Sequence, residues 1–121
     1  MRSGRIASFA HALRGVAELV ATQPNARLHA VASAAVVALG AALRVSSGEW
    51  LALLLAMALV WSAEAFNTAI EALGDAVSPA PHPRIRRAKD VAAAAVLLAS
   101  AGALAVGLVV FGPRLAGWVA G

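Results

Sequence analysis

The chain contains no cysteine and only one lysine, Lys89. Without cysteine it cannot form disulfides, a thiolate nucleophile or a cysteine-ligated zinc site. The lysine does not follow a glycine, so there is no Walker phosphate-binding loop, and Gly-x-Gly-x-x-Gly is absent as well. Gly-x-Ser-x-Gly and His-Glu-x-x-His are also missing, which excludes the standard hydrolase elbow and the common zinc protease helix.

Charged residues are scarce too, at 13% of 121 residues, whereas 61% are hydrophobic. The mean hydropathy is +0.80. A chain this short cannot bury so much apolar surface, so lipid is the expected solvent, and disorder or a soluble enzyme core is excluded. The net charge of +4 comes from basic residues at the ends of apolar segments, which favours an anionic membrane surface over nucleic acid as a partner.

The apolar pattern predicts an all-α integral membrane protein formed by one domain, residues 1–121. Residues 1–23 are expected to form an amphipathic surface helix, since their apolar residues recur every three or four positions. Three spans are predicted, at residues 27–44, 50–77 and 91–111. A helix over 50–77 would be roughly 40 Å long, more than the hydrocarbon core, so one end must reach the interface. Residues 78–90 are predicted as a loop, and Gly112-Pro113 as the end of the third span.

The distribution of basic residues predicts the orientation in the membrane. Eight of them precede the first span or separate the second from the third, whereas Arg44 and Arg114 alone lie on the opposite side. By the positive-inside rule, the N-terminus and the 78–90 loop are expected in the cytoplasm.

The second span carries four polar side chains on one narrow face, Glu64, Asn67, Glu71 and Asp75. Such groups are costly near a membrane and point to an ion, a proton path or a polar substrate. Lys89 and Asp90 open the third span on the same side, where a helix N-terminus favours an anion. Carboxylate and amide oxygens suit Mg²⁺, which commonly bridges carboxylates and phosphates, while lysine can neutralise phosphoryl charge.

Two alternatives use the same residues. The carboxylates could form interfacial ion pairs with Arg86, Arg87 and Lys89 in a packing subunit, or a relay of Glu64, Glu71 and Asp75 could serve a small ion or proton transporter. A relay should extend across the bilayer, however, and the acidic groups of the second span lie toward one end. This asymmetry favours chemistry at the interface.

Two motifs carry a resemblance to a known family. Residues 64–71 match the pattern Glu-x-x-Asn-[Ser/Thr]-Ala-Ile-Glu, and Asp75 and Ala88-Lys89-Asp90-Val91 follow at the matching separation. In these motifs the chain resembles the prokaryotic diacylglycerol kinases, small three-span lipid kinases that include undecaprenol kinase. The resemblance extends over residues 8–115. Residues 8–15, 28–30 and 49–50 look more like the undecaprenol kinase branch, so undecaprenol is slightly favoured over diacylglycerol as the acceptor.

The resemblance implies a homotrimer in the bacterial inner membrane that transfers the γ-phosphate of ATP to a lipid hydroxyl with Mg²⁺. Glu64 would be the catalytic base, and Glu71 a metal ligand. Gln23 stands where the family has a second metal-side glutamate, and its neutral amide is a weaker ligand for a hard cation. The residues implied in ATP binding are His11, Asn67, Glu71, His82, Lys89 and Asp90. Those implied in lipid binding are Arg27, Trp50 and Glu64.

Overall fold

The computed structural model describes residues 2–121, with side chains from Gly4 onward. Within that range the backbone forms four α-helices: α1 Arg2–Thr22, α2 Pro24–Ala42, α3 Ser47–Val77 and α4 Pro83–Ala120. Among the described residues, α2, α3 and α4 are long and apolar enough to cross a membrane. The predictions of an all-helical fold and of three helices able to span a membrane are therefore confirmed. A surface location for α1 and a homotrimer stay predictions.

Local sequence explains where the three long helices begin. Pro24 and Pro83 occupy the first turns of α2 and α4, where a missing N–H costs nothing. α3 begins with a capping box in which Ser46 and Glu49 each accept a hydrogen bond from the other's backbone N–H. His82 precedes α4 and its Nδ1 accepts from the Arg84 N–H at 3.2 Å.

Two helix ends predicted around the third span are wrong, whereas the bounds of the span in the membrane, residues 91–111, stay a prediction. Residues 83–90 are not part of a loop, because Pro83 starts α4 and only residues 78–82 separate α3 from α4. The helix also continues through Gly112-Pro113 to Ala120. One missing hydrogen bond does not end a helix in apolar surroundings, where the remaining backbone groups must still bond within the helix.

The turn between α2 and α3 has the hydrogen bonds of a Schellman motif. The Val45 N–H donates to the Gly40 carbonyl at 3.2 Å, and the Arg44 N–H donates to the Ala41 carbonyl at 3.4 Å. This closure places Arg44 in the left-handed region, with φ of 53°. A residue with a Cβ is strained at this φ, so the hydrogen bonds of the turn keep Arg44 in a backbone conformation that its side chain disfavours.

The apolar core lies around this turn, at one end of the α3–α4 pair. Val45, Leu53, Val110 and Phe111 form the buried cluster. Nearby, the Trp50 ring lies over Gly40, where an added Cβ would come within 2.6 Å of the ring. Arg114 of α4 makes two hydrogen bonds to the Glu49 carboxylate, one of them Nη2 to Oε1 at 2.6 Å.

Large apolar side chains remain exposed along the spanning helices, Leu55, Leu97, Leu98 and Val109 among them. This exposure is expected of helices whose outer surface faces lipid, because lipid tails are as apolar as these side chains. The predicted stripe of α1 is exposed as well, at Ile6, Phe9, Leu13 and Val16. Of the α1 side chains that the structure describes, Leu19 near the end of the helix is the buried one.

Candidate active site

The most buried large side chain is a carboxylate, Glu64, at 1% exposure. Its Oε2 atom is enclosed and has no hydrogen-bond partner in the described part of the chain. The Nε2 atom of His29 on α2 is 3.6 Å away. Burying a carboxylate without full hydrogen bonding is costly, so a residue of this kind in a membrane helix indicates a functional site.

Two more polar atoms without partners lie on the next turn of α3. The Asn67 Oδ1 and Thr68 Oγ1 atoms are both buried and accept or donate no hydrogen bond among the described residues. Asn67 was predicted as a site residue, whereas Thr68 was not. The position of Thr68 beside Asn67 and near two glutamates could have indicated that it belongs to the site. Threonine is common in spanning helices, however, so this signal is weak.

Lys89 of α4 is paired with the carboxylates at the end of α3. Its Nζ lies 2.5 Å from Asp75 Oδ1 and 3.5 Å from Glu71 Oε2. Both contacts are ion pairs, and together they hold the Lys89 ammonium group over the end of α3.

This pairing depends on the close approach of the two helices at Gly74. A Cβ added at Gly74 would lie 2.9 Å from the Ile85 Cγ2 atom and 3.0 Å from the Lys89 Cε atom. The absence of a side chain at this buried glycine thus allows Lys89 to reach both Glu71 and Asp75. Glycine here serves close packing, since its φ is not positive.

A cavity of about 850 Å³ lies between the end of α3, residues 78–82 and the start of α4. Its polar lining includes Glu71, Asp75, His82, Arg86, Arg87, Lys89 and Asp90. The volume is within the range of small-molecule sites. The N-terminus of α4 adds positive potential to that of the arginine and lysine side chains, so the cavity has the charge and the room for a polyphosphate.

The structure brings only part of the predicted site together. Glu71, His82, Lys89 and Asp90 line the cavity, and Asn67 lies one turn before Glu71 on α3. The other predicted residues do not line it. Trp50 lies at the opposite end of α3, 14 residues and roughly 21 Å from Glu64.

Three residues near the start of the chain contact their own neighbours. His11 Nδ1 lies 3.4 Å from the Arg14 guanidinium. Gln23 donates from Nε2 to the Thr22 hydroxyl at 3.2 Å. Arg27 donates to the carbonyls of Val20 and Ala21 at 3.2 and 2.6 Å. The last contact satisfies carbonyls at the C-terminus of α1, a structural role that had not been predicted.

Among the described residues, no three acidic, histidine or cysteine side chains are grouped to hold a metal ion. Mg²⁺ does not require such a group, because it is commonly held by one or two carboxylates together with substrate phosphates. The Glu71 carboxylate and the unpartnered oxygen of Asn67 lie one turn apart on α3. These residues therefore fit an ion that binds together with a nucleotide.

Comparison with known proteins identifies the family of the chain. The family profile described as prokaryotic diacylglycerol kinase matches residues 10–111. The chain belongs to this family. It is 38% identical over 108 residues to the undecaprenol kinase of Bacillus subtilis (strain 168), covering 89% of this chain and 88% of that relative.

A second relative, the diacylglycerol kinase of Synechocystis sp. (strain ATCC 27184 / PCC 6803 / Kazusa), is 38% identical over 103 residues, 84% of this chain. The chain spans only 59% of that relative's length. The protein is thus an ATP-dependent lipid kinase of a membrane, and the family indicated by the two motifs is confirmed. The alternative of an ion or proton transporter is not supported.

Proposed function

We propose that this kinase transfers the γ-phosphate of ATP to the hydroxyl of undecaprenol, with diacylglycerol as the second candidate acceptor. The observation that carries the reaction is the buried, unpartnered carboxylate of Glu64, on the same helix as the residues of the polyphosphate cavity. Undecaprenol is favoured because the match to the Bacillus undecaprenol kinase extends over nearly all of both chains.

Glu64 is the base in this proposal. The lipid hydroxyl gives its proton to the carboxylate, its oxygen bonds to the γ-phosphorus, and the bond from that phosphorus to the ADP oxygen breaks. Phosphoryl transfer requires in-line positioning and charge neutralisation more than covalent catalysis. A single carboxylate two helical turns from Glu71 of the polyphosphate cavity therefore provides the proton acceptor, and the other residues provide the positioning.

The charged residues of the cavity hold the nucleotide. Lys89 turns from Asp75 and Glu71 toward phosphate oxygens, while His82 and Asp90 position the nucleotide at the start of α4. Asn67 and Glu71 would hold Mg²⁺, which when bound neutralises phosphate charge. The exchange by Lys89 needs only side-chain rotation, since its ammonium group is already at the cavity wall.

The membrane arrangement in this proposal is a homotrimer in the bacterial inner membrane, with α1 on the membrane surface. The N-terminus and residues 78–82 lie in the cytoplasm, where ATP is available, and the excess of basic residues on that side supports the orientation. His11, Gln23 and Arg27 remain candidates for nucleotide, metal and lipid contacts, which neighbouring subunits could bring to the cavity.

The test is a parallel assay of the purified protein with Mg-ATP and either undecaprenol or diacylglycerol. Glu64→Gln should lower the rate by about 10²- to 10⁴-fold, because the amide cannot accept the proton, while ATP binding is retained. Glu18→Gln on the exposed face of α1 is the matched control and should be as active as the unaltered protein. An active Glu64→Gln would contradict the base, and a higher kcat/KM with diacylglycerol would contradict the acceptor.

A further inference from the structure

His29 is the one basic side chain within 4.0 Å of the Glu64 carboxylate among the described residues. The Nε2 atom of His29 and the Oε2 atom of Glu64 are 3.6 Å apart, slightly too far for a hydrogen bond. This is also the glutamate oxygen that is buried and unpartnered. Hydrogen bonds of catalytic residues are often long before substrate binds and shorten in the complex.

The orientation of the His29 ring is fixed by α2 and α3 together. The ring meets Trp61 edge to face, with 6.4 Å between the ring centroids and 61° between the planes. Trp61 is in turn anchored by its Nε1, which donates to the Ser33 hydroxyl at 3.0 Å. The His29 side chain is only 19% exposed, so few other orientations are open to it.

A cavity of about 200 Å³ borders the same ring. It is lined by the polar and aromatic side chains of His29, Ser33, Trp61 and Ser100, by Met57 and Val60, and by three further small or apolar residues. Because this cavity borders the imidazole, the ring is not packed on every side and can adjust by the few tenths of an ångström that a hydrogen bond to Glu64 requires. The packing therefore determines which way the ring faces but does not hold it away from the carboxylate.

We infer that His29 is a positioning residue for Glu64, donating from Nε2 to Oε2 so that the other carboxylate oxygen faces the lipid hydroxyl. The inference rests on the proposed role of Glu64 as base. The hydroxyl proton is transferred to Glu64 as the new oxygen–phosphorus bond forms and the bond to ADP breaks. His29 transfers no proton in this step, and its Nε2–H group donates to the carboxylate throughout.

The test compares His29→Leu, which removes the donor, with His29→Gln, which keeps an N–H at similar reach. Ser100→Ala is the matched control, because it alters the lining of the same cavity without touching His29, Trp61 or Ser33. For His29→Leu we expect kcat to fall by about 10- to 100-fold, with the KM for ATP changed less than about twofold. His29→Gln should retain most of the activity, and Ser100→Ala nearly all of it.

The outcomes separate this inference from the proposed function when Glu64→Gln is assayed alongside. Full activity in His29→Leu with an inactive Glu64→Gln would overturn the role of His29 and leave the base in place. Activity in both variants would show that Glu64 is not the base. Equal losses in His29→Gln and His29→Leu, or a parallel fall in the melting temperatures, would show a packing role and also overturn the inference.

Discussion

Gly74→Ala is expected to weaken both the α3–α4 contact and nucleotide binding. The new Cβ would lie 2.9 Å from Ile85 Cγ2 and 3.0 Å from Lys89 Cε, whereas favourable carbon contacts are about 3.5–4.0 Å. The lysine chain can bend away, but the Ile85 methyl group is attached to a helix and must move with it. Overpacking of this kind costs about 1–3 kcal/mol.

The expected functional effect follows from the displacement of Lys89. The contact of the new Cβ with Lys89 Cε would be about 0.5–1 Å too short. The ammonium group would therefore move by roughly this distance, away from Glu71 and Asp75. Misplacement by about 1 Å can cost on the order of 100-fold in rate, but lysine is flexible. We therefore expect kcat/KM for ATP to fall by about tenfold.

The control for Gly74→Ala is Gly102→Ala in α4, where an added Cβ meets nothing within 4 Å. Both variants gain about 1 kcal/mol of helix propensity, so the difference between their free energies of unfolding isolates the clash. The assay is denaturation in detergent micelles together with steady-state kinetics. If Gly74→Ala is as stable and as active as Gly102→Ala, the reasoning about the close approach of α3 and α4 is refuted.

Three further predictions concern the opposite end of the bundle. Gly40→Ala should lower the melting temperature, because its Cβ would lie 2.6 Å from the Trp50 ring, while the KM for ATP should not change. Arg44→Gly should stabilise the protein by about 1 kcal/mol in chemical denaturation, because glycine relieves the positive φ, and an unchanged midpoint would contradict this strain. Arg114→Ala should lower the melting temperature by removing both hydrogen bonds to Glu49, and equal melting temperatures would show that this pair contributes nothing.

The spans could be predicted from sequence because each is a long apolar run, and the lipid solvent imposes helices on such runs. Their ends were harder to predict. Pro83 and Pro113 were both interpreted as breaks, yet one starts a helix and the other lies inside it. A proline is compatible with either position, and the surrounding packing and solvent decide which is adopted.

For the site, helical spacing was sufficient to place Glu64, Asn67, Glu71 and Asp75 on one face of α3. The contact between His29 and Glu64 could not be predicted in this way, because 35 residues and a turn separate them. Their approach depends on how α2 packs on α3, which sequence spacing does not determine. The same holds for Arg27, whose hydrogen bonds to the end of α1 depend on the sharp turn at Pro24.

The buried apolar cluster around Val45 and Phe111 makes the stability of the α3–α4 pair uneven along its length. At that end the apolar side chains pack together, a capping box fixes the start of α3, and Arg114 of α4 is bonded to Glu49 of α3. At the cavity end, Gly74, Ile85 and Lys89 provide the contact between the helices. Local opening should therefore begin at the cavity, so backbone amides of residues 70–90 would exchange hydrogen before those near Leu53, and nucleotide would slow that exchange. In that order of exchange, the cavity end would open while the packed end around Leu53 stays folded.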